Sequence, residues 1–369
     1  MSTLCLLFFA LITFADAKLG CKNMEGKDVD WFAAIKSPKG LDASEGKSFV
    51  YFDSSQTGFE WSPVLINSTD SAIGATINQL YGINKDITFS IAYNDDSPDG
   101  KVDGYRAHAK GVAVFDHEVG FWILHSVPNF PPSKKYDFHD GGSVFSQSFL
   151  CLSLSVNFLE DVGQYMRFAH VSTYLYNLPE FHKIVAPSLV DVVKKKSLPK
   201  SATVFTTIRE LQTLNGTKAK GFSKHRKFEK DLWYSFIAPS LKTPMSVETW
   251  RSGSGTDVGS QCSKNKMRYN VYDVEVVKLL GKTFANGKDH SKWGVSMDKN
   301  VPAVCIGDVN RQESQFHRGG GAVCIQDIKL WQAFRGSVGK YAKCRTKPRT
   351  PRNFEEDATK RPEQSNNLN

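Results

Sequence analysis

The pattern His-x-Lys with an aspartate six residues after the lysine occurs twice in this chain. The first copy is HAKGVAVFD, residues 108–116, and the second is HSKWGVSMD, residues 290–298. One His-x-Lys carries little information, but two copies with matched spacing indicate a duplicated half-site. We therefore expect a fold that brings two distant segments of the chain together around one site.

The residue types predict what that site binds. If both copies lie on β-strands, histidine and lysine point to the same face, about 7 Å apart along the chain. Two such strands side by side would place two imidazoles and two ammonium groups around one pocket. That arrangement repels a metal ion and suits a phosphate. We predict a catalytic set, with neither metal nor cofactor, of His108, Lys110, His290 and Lys292.

The chemistry follows from the same groups. One neutral imidazole can attack phosphorus to form a phosphohistidine, while the other, protonated, donates its proton to the leaving alkoxide. Water activated by the second histidine completes the hydrolysis, and the lysines stabilise charge on the non-bridging oxygens. This scheme requires the two histidines to be in opposite protonation states in mildly acidic solution.

Polar residues downstream of each copy are candidates for contacts with the histidines or the phosphate. Arg318 precedes the run Gly319–Gly321, which could let the backbone approach a phosphate closely. The alternative reading is that these polar residues are ordinary satisfied turn residues. The candidate set is His125, Asn129, Asp308, Asn310 and Arg318.

The first 17 residues predict a cleaved signal peptide. Residues 4–14 form an apolar run too short to span a bilayer, and Ala15-Asp16-Ala17 resembles a cleavage site. No other stretch approaches the roughly 18 apolar residues that a membrane helix needs. Six cysteines remain after cleavage, and an even number in a secreted chain predicts three disulfides among 15 possible pairings.

Charge and sequons agree with secretion. Asn67 and Asn215 each begin an Asn-x-Thr sequon and are candidate glycosylation sites. Removing residues 1–17 takes away one negative charge, Asp16, and no positive one, so the formal net charge rises from +9 to +10. A basic secreted protein favours a polyanionic partner such as nucleic acid, although simple solubility explains the charge equally well.

Alternating strand and helix patterns predict an α/β fold of mixed α+β layers. Helices are expected at 71–82, at 161–169 and at 228–241, with a closing helix at 326–338; a strand is expected at 201–208. Lys194–Lys196 followed by Pro199 marks an exposed connection. We place an N-terminal half at 18–195, a C-terminal half at 196–345 and a disordered polar tail at 346–369.

These motifs resemble those of a known protein family. Two His-x-Lys segments, each followed by an aspartate, resemble the phospholipase D superfamily. Two regions of the chain resemble the two signature regions of deoxyribonuclease II. The first contains HAKGVAVFD and GFWILHSVPNFP, and the second contains DHSKWGVS, CIGDVNRQ, RGGGAVC and LWQAF. The likeness runs from about Cys21 to Cys344.

The resemblance implies two pseudo-repeat phospholipase D-like α-β-α sandwich halves with the active site at their interface. It also implies an acid, metal-independent endonuclease of lysosomes or secretions that leaves 3′-phosphates. The implied disulfides are Cys21–Cys151, Cys262–Cys344 and Cys305–Cys324. We assign His108 as the nucleophile and His290 as the general acid.

Two other readings remain open at this point. The chain could be a phospholipase D-like phosphodiesterase acting on another substrate, or a catalytically inactive relative that binds a polyanion. The basic charge favours DNA as the substrate over a lipid, and both half-sites are intact, which argues against an inactive relative. The sequence does not choose between a monomer and a homodimer.

Overall fold

The computed structural model describes residues 18–252, 255–263 and 269–344. The predicted signal peptide at 1–17 and the predicted tail at 346–369 lie outside the described residues. The architecture consists of two large β-sheets with few helices, which confirms the mixed α/β class.

The first sheet takes its strands from residues 31–177. A short ribbon of β1 and β2 precedes it. The strand order is β10-β6-β7-β8-β9-β3-β4-β5, and every neighbouring pair is antiparallel. The elements in this part of the chain are β1 (Cys21–Lys22), β2 (Asp28–Val29), β3 (Trp31–Lys36), β4 (Phe49–Asp53), β5 (Glu60–Trp61), α1 (Ala72–Asn78), β6 (Phe89–Asn94), β7 (Lys110–Phe115), β8 (Val119–His125), β9 (Gln147–Ser155), α2 (Leu159–Ala169), β10 (Thr173–Asn177), α3 (Glu180–Val185) and α4 (Ser188–Val193).

The second sheet takes its strands from residues 206–341. Its order is β11-β12-β18-β17-β16-β13-β14-β15, with β19 also paired to β14 and only the β13–β14 pair parallel among the strands described. Its elements are β11 (Thr206–Gln212), β12 (Lys218–Lys224), α5 (Ala238–Leu241), β13 (Met245–Glu248), β14 (Val271–Leu279), β15 (Lys282–Ala285), β16 (Trp293–Ser296), β17 (Ala303–Gly307), β18 (Gly320–Gln326), α6 (Ile328–Ser337) and β19 (Val338–Tyr341).

The two sheets share one apolar core. Side chains of a strand alternate between faces, so Trp31, Ala33 and Ile35 enter this shared core while Phe32 and Ala34 enter a second one. The shared core also contains residues of β16, β17, β18, α2 and α6. The second core packs α1 on the outer face of the first sheet, and a third packs α5 on the outer face of the second sheet. Because both faces are covered, most central strands are buried along their whole length.

The three predicted disulfides are confirmed. Cys21–Cys151 ties β1 to β9, and Cys305–Cys324 joins directly opposed residues of β17 and β18. Cys262–Cys344 joins the segment before β14 to the residues after β19. All three therefore close long or medium loops around the sheets, which restricts the unfolded chain.

Most predicted elements are present, with two shifted boundaries. The strand predicted at 201–208 begins only at Thr206, because its partner β12 ends at Lys224, directly opposite Thr206. The helix predicted at 228–241 begins about one turn late, because Glu229 has a left-handed backbone with φ of 54°. A π-helical turn, Trp233–Ile237, then leads into α5. Within the described ranges, no helix is long and apolar enough to cross a membrane.

Candidate active site

Strand ends bring the two half-sites to one place. The strand β7 begins at Lys110, and its antiparallel neighbours β6 and β8 end beside that residue. The strand β16 begins at Trp293, directly after Lys292, and its neighbours β13 and β17 end beside it. The prediction that histidine and lysine share a strand is wrong for both copies. Only Lys110 is in a strand, because the segments before β7 and β16 bend away to bond the opposite half.

The first half-site is organised around Asp95, the residue that follows β6. Its carboxylate forms an ion pair with Lys110, accepts a hydrogen bond from Arg318 at 3.1 Å, and lies 3.9 Å from Nε2 of His108. Burial alone would raise the pKa of Asp95, but the positive charges around it, Lys110 first, lower it below the usual range. Asp95 is therefore a buried anion that fixes Lys110 beside His108.

The second half-site holds His290 between aromatic rings. The Phe145 ring lies parallel to the imidazole with 3.8 Å between centroids, and the Trp250 ring lies at 4.5 Å. Lys292 folds back so that its Nζ donates to the carbonyl of His290 at 2.5 Å. The preceding Asp289 is fully buried and accepts the amide of Ser291 at 2.8 Å. These contacts fix both the ring plane and the backbone of His290.

Each histidine is held by the opposite half of the chain. The amide of His108 donates to the carbonyl of Gly319 at 3.0 Å, and the amide of His290 donates to the carbonyl of Ser146 at 2.9 Å. The amide of Lys292 donates to the hydroxyl of Ser148 at 3.2 Å. Neither half-site can therefore be fully ordered without the other.

The pKa values of both histidines are lowered. For His108 the causes are burial first, then the charges of Lys110 and Lys292, with Asp95 acting against them. Burial, then Lys292 and Lys110, lowers the pKa of His290 to about 3. Both shifts favour the neutral imidazole in the free site, whereas the sequence led us to expect one neutral and one protonated histidine. The physical reason is that burial and two shared lysines act on both rings.

Lys292 and Asp308 have pKa values displaced towards neutrality. Burial, and next the charge of Lys110, lowers the pKa of Lys292 to about 7. Burial raises the pKa of Asp308 to about 7, although its carboxylate accepts the amide of Gly321 at 2.6 Å. In mildly acidic solution Lys292 is charged and Asp308 is neutral, so the site gains positive charge as the pH falls.

The remaining predicted residues lie at different depths. His125 ends β8, is fully buried between Phe130 and Phe149, and has its pKa lowered to about 3 by burial and then by Lys110. It is a neutral buried ring near Lys110. Asp308 follows β17 and interacts electrostatically with both site lysines.

Asn129 and Asn310 do not bond to the histidines in the part of the chain that the structure describes. Asn129 has a left-handed backbone, and its side-chain amide donates to Asp96 at 3.2 Å, next to Asp95. It braces the turn that carries Asp95. Asn310 is buried, and its Oδ1 has no hydrogen-bond partner among the described residues.

Arg318 joins the two halves, and its guanidinium group is engaged by protein acceptors. Besides Asp95, it donates to the carbonyls of Asp103 at 2.7 Å, Ala107 at 3.2 Å and Arg106 at 3.2 Å. It therefore orders the loop that leads into His108.

Close packing explains the glycines after Arg318. A Cβ on Gly319 would lie 1.9 Å from the carbonyl of Ala169, and one on Gly321 would lie 2.1 Å from the carbonyl of Phe222. These glycines are needed because two chain segments lie in close contact here. The sequence suggested instead that the glycines let the backbone approach a phosphate.

The repeated aspartates lie outside the site. Asp116 follows the far end of β7 and caps the turn to β8, accepting the amides of Glu118 at 2.7 Å and Val119 at 2.8 Å. Asp298 lies beyond the far end of β16 and accepts the amide of Asn300 at 2.9 Å. A strand rises about 3.3 Å per residue, so both lie on the order of 20 Å from the lysines.

Sequence reasoning missed Asp95, Asp289, Phe145 and Trp250. Asp95 and Trp250 come just after β6 and β13, the strands that pair with β7 and β16. A search for polar or aromatic residues at the ends of neighbouring strands could have found them. Phe145 carries no such signal, because it reaches His290 from a loop before β9.

Two further observations bear on the predicted sites. Within residues 18–252, 255–263 and 269–344, no group of three or more His, Cys, Asp or Glu side chains is arranged to hold a metal ion. Asn67 and Asn215, the two sequon asparagines, are both exposed.

Comparison with known proteins gives one consistent result. A sequence profile of the family described as Deoxyribonuclease II matches residues 20–344. Cell-death-related nuclease 7 of Caenorhabditis elegans is 40% identical over 343 residues, covering 92% of both chains. Plancitoxin-1 of Acanthaster planci is 33% identical, covering 91% of this chain and 95% of its own. Deoxyribonuclease-2-alpha of Mus musculus is 32% identical, covering 93% of this chain and 99% of its own.

Proposed function

This chain belongs to the deoxyribonuclease II family, and we propose that it is an endonuclease that hydrolyses DNA in acid, without a metal ion, to products ending in 3′-phosphate. One observation carries the proposal. Two His-Lys pairs from distant segments lie close enough for Lys110 and Lys292 each to lower the pKa of both histidines. A phosphodiester is the substrate that such a doubly cationic, two-imidazole site suits.

The reaction proceeds in two displacements. His108 attacks the phosphorus, forming a P–N bond as the P–O5′ bond breaks, and His290 gives its proton to the leaving 5′-oxygen. Water then attacks the phosphorus, His290 takes the water proton, and the P–N bond breaks to release a 3′-phosphate. Lys110 and Lys292 neutralise the charge on the non-bridging oxygens in both steps.

Bound substrate gives the two histidines different protonation states. A phosphodiester bound between the lysines brings a negative charge beside His290 and raises its pKa. His290 then takes up a proton as DNA binds, while His108, beside the anchored Lys110, stays neutral for attack. Acid solution favours this uptake and also keeps Lys292 charged, because its pKa is about 7.

The two halves, residues 18–195 and 196–345, are on this proposal phospholipase D-like pseudo-repeats with the site at their interface. Support comes from strand order: β6-β7-β8-β9-β3-β4 in the first sheet corresponds to β13-β16-β17-β18-β12-β11 in the second. In both series the site lysine stands at or just before the start of the second strand.

A basic and aromatic surface beside the site would hold the rest of the DNA. We define it as the ledge, formed by Tyr105, Phe205, Arg226 and Lys227. The Arg226 guanidinium lies 4.0 Å from the centre of the Tyr105 ring, and Lys227 lies 5.6 Å from that of Phe205. Tyr105 is 55% exposed and lies three residues before His108. Exposed aromatic rings beside cations suit bases and backbone of DNA.

A lysosomal or secreted location fits the same reading. Three disulfides join the described cysteines, and disulfides form and persist in oxidising compartments. Such a location would place the enzyme where the solution is acidic or where extracellular DNA is met.

The test is digestion of supercoiled plasmid at pH 5 in excess EDTA, followed by end-group analysis. We expect cleavage with 3′-phosphate and 5′-hydroxyl ends. Cleavage that is lost in EDTA and restored by Mg²⁺ would refute the metal-independent mechanism. Binding of plasmid without cleavage would indicate an inactive polyanion-binding relative. Hydrolysis of small phosphodiesters but not of DNA would indicate a different substrate.

A further inference from the structure

Lys36, the last residue of β3, is a fully buried lysine outside the half-sites. Its Nζ donates to three backbone carbonyls, those of Ser37 at 2.7 Å, Gly46 at 2.8 Å and Ser143 at 3.0 Å. Ser143 ends a short 3₁₀ turn, Asp140–Ser143. All three ammonium protons are therefore used, and one of them fixes the end of that turn.

Lys224, the last residue of β12, does the same in the second sheet. Its Nζ donates to the carbonyls of Gln315 at 3.0 Å, Phe316 at 3.1 Å and Arg318 at 2.5 Å. These carbonyls belong to the end of another 3₁₀ turn, Glu313–His317, and to the residue after it. This lysine too uses three donors on three carbonyls.

The two lysines occupy corresponding places in the sheets. Lys36 lies on the third strand from β7, in the order β7-β8-β9-β3. Lys224 lies on the third strand from β16, in the order β16-β17-β18-β12. Neither lysine belongs to a repeated sequence motif, so this correspondence is visible only in the fold.

Each lysine-bound turn leads to the carbonyl that holds a histidine of the other half. Ser146, three residues after Ser143, accepts the amide of His290, and Phe145 between them stacks on its ring. Gly319, directly after Arg318, accepts the amide of His108. The route from Lys36 therefore ends at His290, and the route from Lys224 ends at His108.

We propose that Lys36 and Lys224 are positioning residues that act across the interface, Lys36 on His290 and Lys224 on His108. The inference rests on the proposed function for its consequence in catalysis, but the crossed coupling itself is a property of the fold. Each ammonium group fixes a turn whose following carbonyl sets the backbone of the distant histidine.

The cost of burying these charges argues that they do more than fill space. Burial, opposed first by Asp289, lowers the pKa of Lys36 to about 7. Burial, opposed first by Asp231, lowers that of Lys224 to about 8. An apolar side chain would avoid this desolvation, but it could not bind three carbonyls in one fixed geometry.

The test is amide hydrogen exchange of the full chain, read at the amides of His108 and His290, in Lys36→Met and Lys224→Met. We expect Lys36→Met to accelerate exchange at His290 at least about tenfold more than at His108, and Lys224→Met to do the reverse. Lys183→Met, at a partly exposed ion pair with Glu180, is the matched control and should change neither. Lys36→Gln and Lys224→Gln keep two donors and should restore part of the protection.

Activity gives a second readout that a general loss of stability would not reproduce. We expect kcat on plasmid to fall at least about tenfold in each Met variant while KM stays within about twofold, because a small displacement of a catalytic group costs turnover. The inference would be overturned if Lys36→Met accelerated exchange mainly at His108 and Lys224→Met mainly at His290, or if either variant accelerated exchange equally at both histidines. So would failure of both variants of either lysine to fold, since that lysine would then support the whole chain. Crossed exchange with unchanged kcat would retain the coupling but count against the proposed roles of the histidines.

Discussion

The carbonyl oxygen of Gly319 accepts a hydrogen bond from the backbone amide of His108 at 3.0 Å, across the boundary between the two sheets. The same glycine has no room for a side chain, because a Cβ would meet the carbonyl of Ala169 at 1.9 Å. The position of one catalytic candidate is thus set by a residue more than 200 positions away in the sequence.

Gly319→Ala should therefore impair catalysis without touching a catalytic group. The methyl group must push Gly319 away from Ala169, and His108 moves with it. Displacement of a reacting group by about 1 Å can cost on the order of 100-fold in rate. The measurement is kcat on plasmid at pH 5. Gly336→Ala is the control, because a Cβ there meets nothing within 4 Å. Equal activity of the two variants would show that this contact does not position His108.

His108→Ala and His290→Ala should each lower kcat by at least about 100-fold while the fold is retained. The double variant should be little worse than either single one, because the two groups act as a unit. His117→Ala, at an exposed histidine in the turn between β7 and β8, is the matched control and should keep its rate. A single variant at His108 or His290 with a near-normal rate would mean that the duplicated motif is not the active centre.

The rate in EDTA should fall as the pH rises through about 7. The pKa of Lys292 is lowered to about 7, so this group is charged below that pH and neutral above it. A neutral amine no longer stabilises the charge on the phosphate. The dependence of kcat/KM on pH between pH 5 and pH 9 checks this, because kcat/KM reports the ionisation of the free enzyme. A rate that stays constant to pH 9 would show that the charge of Lys292 is not needed.

DNA binding at pH 5 should take up about one proton per site, because the phosphodiester raises the pKa of His290 from about 3. Lys292 and Asp308, with pKa values of about 7, are already protonated at that pH. Calorimetry of His108→Ala with a short duplex, in two buffers of different ionisation enthalpy, measures the uptake. The dependence of the binding enthalpy on the buffer should vanish in the double variant that carries both His108→Ala and His290→Ala. No buffer dependence in His108→Ala would mean that His290 gains no proton on binding.

The ledge should contribute to DNA affinity and not to chemistry. Tyr105→Ala and Arg226→Ala should each raise KM for plasmid about tenfold, in line with the worth of one base stacked on an aromatic ring, and leave kcat nearly unchanged. Turnover of a nitrophenyl phosphodiester, too small to reach the ledge, should be unaffected. Tyr176→Ala, at a tyrosine that is 54% exposed on β10, is the control. A lower kcat on the small substrate would show that Tyr105 supports the site itself.

Local sequence patterns predicted the parts of the fold that depend on local physics. Periodic apolar residues identified α2, α6 and most strands, and the two matched His-x-Lys segments are brought close enough for Lys110 and Lys292 to act on both histidines. The pairing of Cys305 with Cys324 and of the other cysteines followed from family resemblance, since spacing alone left 15 pairings.

The sequence could not show what depends on which strands become neighbours. Asp95 reaches Lys110 only because β6 pairs antiparallel with β7, and Phe145 reaches His290 only because a loop of one half crosses to the other. The lowered pKa of both histidines depends on burial and on lysines contributed from both halves, which no local pattern encodes. The bends that remove His108, His290 and Lys292 from the strands have the same origin.

The most direct test of the account is to trap the covalent intermediate. His290→Ala lacks the group that activates water, yet a nitrophenolate leaving group needs no proton from it. Thymidine 3′-(4-nitrophenyl phosphate) should therefore give a single-turnover burst of nitrophenol and leave the nucleotide on the enzyme. After quenching in alkaline denaturant, peptide mass spectrometry should find thymidine 3′-phosphate bound to His108, and none in His108→Ala. An adduct on His290 in His108→Ala would reverse the two roles. Turnover of wild-type enzyme with no adduct on either histidine in any variant would contradict the phosphohistidine mechanism.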